Sequence, residues 1–140
     1  MIKHLKLLLL ILTINWGLFG CFNSKKAECN KIIKISNQLA EVTQSNLNIE
    51  DTNKVLEIAD KFDGTAQEIL DKKIKDQQLA EDSKNLGIIY QKYGEFTRKF
   101  ITAFEKKDTE NAILSKENLI NLSQKQENLV NNINNYCQEN

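Results

Sequence analysis

From Ala112 to Tyr136 the chain sets core-competent side chains at alternating steps of three and four residues. They are Ala112, Ser115, Leu119, Leu122, Gln126, Leu129, Ile133 and Tyr136. That spacing draws one stripe along a helix and suits the seam of a left-handed bundle. Three earlier segments carry the same period. Ile32, Ile35, Leu39 and Val42 mark a first helix that starts between Ser24 and Glu28 and ends near Ser45. Val55, Ile58, Phe62, Thr65 and Ile69 mark a second over about Thr52 to Lys72, with Asp51 as its cap. Leu79, Asp82, Leu86, Ile89, Tyr93, Phe96, Phe100 and Ala103 mark a third, capped by Asp76 and running to about Lys106. The fourth covers about Thr109 to Cys137. No proline occurs in the 140 residues, so none interrupts a helix interior. The connections are short, which makes consecutive helices antiparallel neighbours. The expected fold is all-α, an up-down-up-down four-helix bundle.

Glycine interrupts this pattern in three places. Gly64 lies within the second helix and costs roughly 1 kcal/mol against alanine. Gly87 and Gly94 are seven residues apart and share a face of the third. Two readings stand for that pair: close approach of a neighbouring helix, or a bend.

The start of the chain has a different character. Lys3, His4 and Lys6 are followed by a run from Leu7 to Phe19 that is apolar except for Thr13 and Asn15. Gly20 then precedes Cys21. A basic start, a short apolar core and a small residue at the cut mark an export signal. As a helix the run would be only ~20 Å long, against a hydrocarbon core of ~30 Å. Leu18-Phe19-Gly20-Cys21 also resembles the bacterial lipobox, which implies a diacylglycerol on the Cys21 sulfur. Phe19 departs from that pattern, which favours a smaller residue. The expected organisation is a signal peptide over residues 1–20, a lipid-anchored tether over 21–28 and a helical bundle domain over 29–140. Plain secretion with cleavage nearby and a retained anchor are the alternatives.

Charge and residue inventory exclude several functions. The chain carries 19 basic and 19 acidic side chains; removing residues 1–20 takes Lys3 and Lys6 and leaves a net charge of −2. With no basic patch, nucleic-acid binding is not expected. The one histidine, His4, lies in the segment to be removed. The remainder therefore lacks Ser-His or Cys-His chemistry and the Glu-x-x-His motifs of di-iron bundles. Asp60 and Asp63 before Gly64 faintly echo a calcium loop, but Phe62 stands where an oxygen ligand is needed. No metal, cofactor or enzymatic activity is expected. Asp82 and Gln126 fall on core-facing positions. Gln126 is expected to hydrogen-bond Tyr90 or Tyr93 and fix register, and Asp82 to lie near a frayed end. Once Cys21 is assigned to the lipid, Cys29 and Cys137 remain. An even remainder in an exported chain reads as a disulfide. An up-down bundle brings the start of helix one and the end of helix four to one end, where these two cysteines sit.

The segment Glu28-Cys29-Asn30-Lys31-Ile32-Ile33, the run from Phe100 to Asp108 and the ending from Leu129 to Cys137 are similar to a group of small cyanobacterial proteins of unknown function. That resemblance covers Cys29 to Cys137. It implies a helical domain bracketed by two cysteines and a cell-envelope or thylakoid-facing setting, and it implies no activity. The Asn- and Lys-rich composition also resembles spirochaete surface lipoproteins, which the cysteine bracket fits less well.

Helix lengths point to one surface. With each turn taken as a mirror point, Asp51 falls level with Thr97. The hairpin from about Arg98 to Glu117 then overhangs the first two helices by roughly nine residues, or ~14 Å. Phe100, Ile101, Phe104, Ile113 and Leu114 would be exposed there, facing away from the lipid. The alternative is that Leu47 and Ile49 fold over and cover them. The expected role is non-enzymatic: a lipid-anchored module that binds a protein partner at a membrane surface. A carrier of an apolar ligand in the bundle core is the rival.

Overall fold

The computed structural model describes residues 24–41 and 51–139. The signal segment 1–20, Cys21, Val42, Leu47 and Ile49 all lie outside the described residues. Four helices make up nearly all of what is described: α1 over residues 24–41, α2 over Thr52–Leu70, α3 over Gln77–Glu105 and α4 over Thr109–Gln138. No strand occurs among the described residues. The protein is an all-α helical bundle. No helix among the described residues is long and apolar enough to cross a membrane.

The starts of α2, α3 and α4 follow from three aspartates. Asp51 accepts from the Asn53 amide at 3.0 Å, Asp76 from Leu79 at 2.9 Å and Asp108 from Asn111 at 3.1 Å. Each satisfies a backbone donor that the first helical turn leaves without a partner. The stripes become the core. Ile32, Ile35, Leu39, Ile69, Leu79, Leu86, Tyr90 and Ile133 are buried together. Burial raises the Tyr90 pKa, and the Ser36 hydroxyl opposes that shift. Burial likewise raises Tyr93, and here the opposing hydroxyl is Ser123. Gln126 is half-buried, and no hydrogen bond joins it to either tyrosine among the described residues. Asp82 is buried inside α3 and accepts from Gln78 Nε2 at 3.0 Å, so it is held rather than frayed.

Of the two readings of Gly87 and Gly94, close approach is the one observed. A Cβ on Gly87 would sit 2.8 Å from Leu70 Cγ, and one on Gly94 would sit 3.1 Å from the Ala59 carbonyl oxygen and run into the Asp63 carboxylate. Both glycines face α2.

This packing corrects the expected overhang. Gly87 lies against Ala66 and Leu70, and Gly94 against Ala59 and Asp63. Continuing that antiparallel register brings Thr52 level with about Ala103, not Thr97. The turn is the reason. The chain leaves α2 at Leu70 and runs non-helically before Gln77, so α3 begins well below the end of α2. Little more than the α3–α4 turn itself projects past α2. Ile101, expected on the exposed surface, is 5% exposed because it lies on the Gly94 face and packs inward.

Among the described residues, the α3–α4 turn carries the one non-glycine residue with positive φ. Lys107 has φ 56°, in the left-handed region that glycine enters without a Cβ penalty. Its amide donates to Phe104 O at 3.1 Å, and the Asp108 amide donates to Ala103 O at 2.8 Å. This is a Schellman closure with lysine where glycine is usual. Lys107→Gly is expected to raise stability by about 1 kcal/mol, read as an increase in the urea midpoint at unchanged m-value. A loss of stability would contradict the strain.

Candidate functional site

Two ends of the bundle hold the residues of interest. At one end the start of α1, the α2–α3 turn and the end of α4 converge. The sulfurs of Cys29 and Cys137 lie 2.10 Å apart, at bonding distance, with Cα atoms 5.8 Å apart. Glu28 is buried beside them, and its carboxylate accepts from the amides of Lys75 at 3.0 Å and Asp76 at 3.2 Å. The turn therefore has its orphan donors met by a side chain from another helix. The Tyr136 hydroxyl donates to Asp76 at 2.8 Å, and that bond raises the tyrosine pKa. Lys25 places its ammonium 3.8 Å from the Tyr136 ring centre and donates to the Glu139 carbonyl at 3.3 Å. Sequence reasoning found the cysteines but missed Glu28 and Tyr136 as partners of the turn. Adjacency of Glu28 to Cys29 was the available signal.

At the other end α3 and α4 meet at Lys107 and Asp108. Phe104 is 63% exposed, Ile113 53% and Leu114 55%. Phe100 is half-buried, and its ring stacks on Phe104 at 6.3 Å between centres, 22° from parallel. Phe100, Ala103 and Phe104 form one wall of an open groove of about 650 Å³, and Ala112, Ile113 and Lys116 form the other. Leu114 faces a second groove on the reverse side, lined also by Phe96, Lys99 and Asn118. Four of the five expected surface residues are thus at least partly exposed at this tip, and Ile101 is not among them.

The exposure has a local cause. α4 points its Ser115 and Leu122 side at α3, and both are buried. Ile113 and Leu114 precede Ser115 and so point to either side of that seam. The described part of α1 does not reach them. With Cys29 at Cys137 and Ile33 beside Val130 and Asn134, Glu41 comes level with about Lys125.

A third cluster lies between the two ends. Arg98 Nη2 donates to Asp60 and to Asp63, each at 2.6 Å. The two aspartates that echoed a calcium loop are committed to the chain's one arginine. These groups are more than a third exposed, so the fork adds little stability. Among the described residues no group of acidic, histidine or cysteine side chains is placed to hold a metal ion.

No protein-family model, no curated protein and no solved structure matches this chain.

Proposed function

We propose that this chain is an exported, lipid-anchored helical module that binds a protein partner at a membrane surface, with the α3–α4 tip as its contact. Cys21 carries the lipid, and the short segment after it leads into α1 within a few residues. The four helices alternate up and down. The joining of Cys29 to Cys137, of Glu28 to the α2–α3 turn and of Tyr136 to Asp76 supports that arrangement. The lipid then sits at the bracketed end and the tip faces away from the membrane.

One observation carries the reading: Phe104, Ile113 and Leu114 are each more than half exposed at the end remote from residue 24. Large apolar side chains clustered on a surface mark interaction sites. Covering the exposed part of each contributes roughly 1–2 kcal/mol. The carrier reading has less behind it. The pocket that reaches the core between Ile32, Leu86 and Ile133 is about 50 Å³, room for water rather than for a ligand needing ~300 Å³ or more.

The test is site-specific photocrosslinking on cells that express the full chain. A photoreactive residue at position 104 is expected to give a discrete adduct, and one at the exposed Lys61 on α2 none. Ile113→Glu should abolish the adduct and weaken the isolated interaction by about tenfold or more, with helical circular dichroism unchanged. Acyl mass on Cys21 and its loss in Cys21→Ala are measured alongside. Equal labelling from positions 104 and 61 would sink the tip as the contact, and an unacylated soluble protein would sink the anchor.

A further inference from the structure

We propose that the groove at the α3–α4 tip takes an amphipathic helix of a partner protein. This rests on the reading of the tip as a contact and names what the contact holds. The groove continues a seam in which a helix already lies. α1 sits between α3 and α4, with Ile32, Ile33 and Ser36 against Leu86 of α3 and Val130 and Ile133 of α4. From Leu86 the same face of α3 runs through Tyr90, Tyr93 and Thr97 to Phe100 and Phe104, at steps of four and three. On α4 the matching face runs from Val130 through Ser123 and Lys116 to Ile113. The described part of α1 ends level with about Lys125, and from there to Thr109 the seam runs on for ~24 Å. Its far end is the groove between Phe100, Phe104, Ala112 and Ile113.

Backbone chemistry selects a helix over an extended chain. The walls of the groove are helix faces whose backbone groups are paired. The carbonyls of Ala103 and Phe104 accept from the closing turn, and the Ala112 amide donates to Asp108 O at 3.0 Å. An extended peptide laid on these walls would leave its own amides and carbonyls without partners, at a cost of about 1–3 kcal/mol for each one buried. A helix brings its backbone bonds with it. It needs only apolar side chains three and four residues apart to fill the space. The rim sets the charge. Glu105, Lys107 and Lys116 border the groove and have no ion-pair partner among the described residues, while Asp108 is engaged by Asn111. Two cations against one anion favour a helix with acidic residues beside its apolar stripe.

The experiment uses the full chain in maltoside micelles, with isotope labels on phenylalanine, leucine and isoleucine. The probe is a stapled peptide of about four turns, with leucines at every third or fourth position and glutamates beside them. Its control carries proline at two central positions, which forbids the helix. Saturable shifts are expected at Phe104 and Ile113 with the helix and none with the control. Leu114, on the reverse side, and Ile88, 37% exposed far from the tip, should stay unmoved. Ile113→Glu should weaken binding by about tenfold or more, with helical circular dichroism unchanged, and Leu114→Glu should leave it as it is. Lys116→Glu should weaken the glutamate helix by about threefold and strengthen its lysine counterpart by about as much.

Absence of saturation, equal binding of the proline control, or equal losses in Ile113→Glu and Leu114→Glu overturns the groove-bound helix. Two other occupants overturn it as well. Shifts at Phe104 and Ile113 that appear on concentrating the chain alone assign the groove to a second copy. Resting shifts there that move in Leu47→Asp, Ile49→Asp assign it to the chain's own residues 42–50. Photocrosslinking at position 104 reads the contact independently, so an adduct without saturable helix binding sinks the helix and leaves the contact standing.

Discussion

Reducing the bond between Cys29 and Cys137 should lower the melting temperature by about 20 °C. The bond closes a separation of 108 residues, nearly the whole bundle. In the chain-entropy model a loop of that length constrains the unfolded chain by ~4–5 kcal/mol. For a domain of this size each kcal/mol moves the midpoint by about 4–5 °C. The native state should change little on reduction, because Glu28, Asp76 and Tyr136 hold the same corner by hydrogen bonds. Cys137→Ser is the cleaner variant. Cys137 is only half-buried, and it leaves Cys29 as a small buried thiol, whereas Cys29→Ser would place a hydroxyl at a position 2% exposed. Unfolding curves of the Cys137→Ser protein and of the reduced wild type should coincide. A shift under about 5 °C would mean that the unfolded chain already holds these ends together.

The helices were legible because their signals are local. Asp51 and Asp76 announce two helix starts, and both cap as expected; Asp108 caps α4 in the same way, from the turn before it. The cysteine pairing was legible because the two residues bracket the helical pattern, one before the first stripe and one after the last. The level of α2 against α3 was not legible. It depends on how far the chain travels between Leu70 and Gln77, and a short polar segment reads alike whether it turns tightly or runs alongside its neighbour. The burial of Ile101 was lost for a related reason. One stripe describes a helix with a single partner, yet α3 packs on α2 with one face and on α4 with another, so the Gly87, Gly94 and Ile101 line also turns inward. The tip survived that error because Phe104, Ile113 and Leu114 are exposed by where they point, not by an overhang. The expected contact of Gln126 with a tyrosine is not made, because a stripe of seven-residue period places a side chain on a face and says nothing about which polar group it meets.

The contrast between Gly94 and Gly64 should be large and opposite in sign. Gly64→Ala adds a methyl group where nothing lies within 4 Å, and its φ is not positive. Only the gain in helix propensity remains, worth about 0.5–1 kcal/mol of added stability. Gly94→Val meets a different surface. Its Cβ would lie 3.1 Å from the Ala59 carbonyl oxygen, which is helix backbone and cannot rotate aside, and against the Asp63 carboxylate, which is tied to Arg98. Asp63 can swing away, but only by giving up that ion pair, a small loss at this exposure. The α2 backbone must instead move off α3, and this loosens the packing at Ala59 and Ala66, both 0% exposed. Overpacking of this kind costs 1–3 kcal/mol, and a branched side chain against backbone falls at the upper end, so the expected destabilisation is about 3 kcal/mol. Urea unfolding of the two variants beside wild type measures both. Equal midpoints for Gly94→Val and wild type would show that α2 and α3 do not meet as closely as the Gly87–Gly94 face requires.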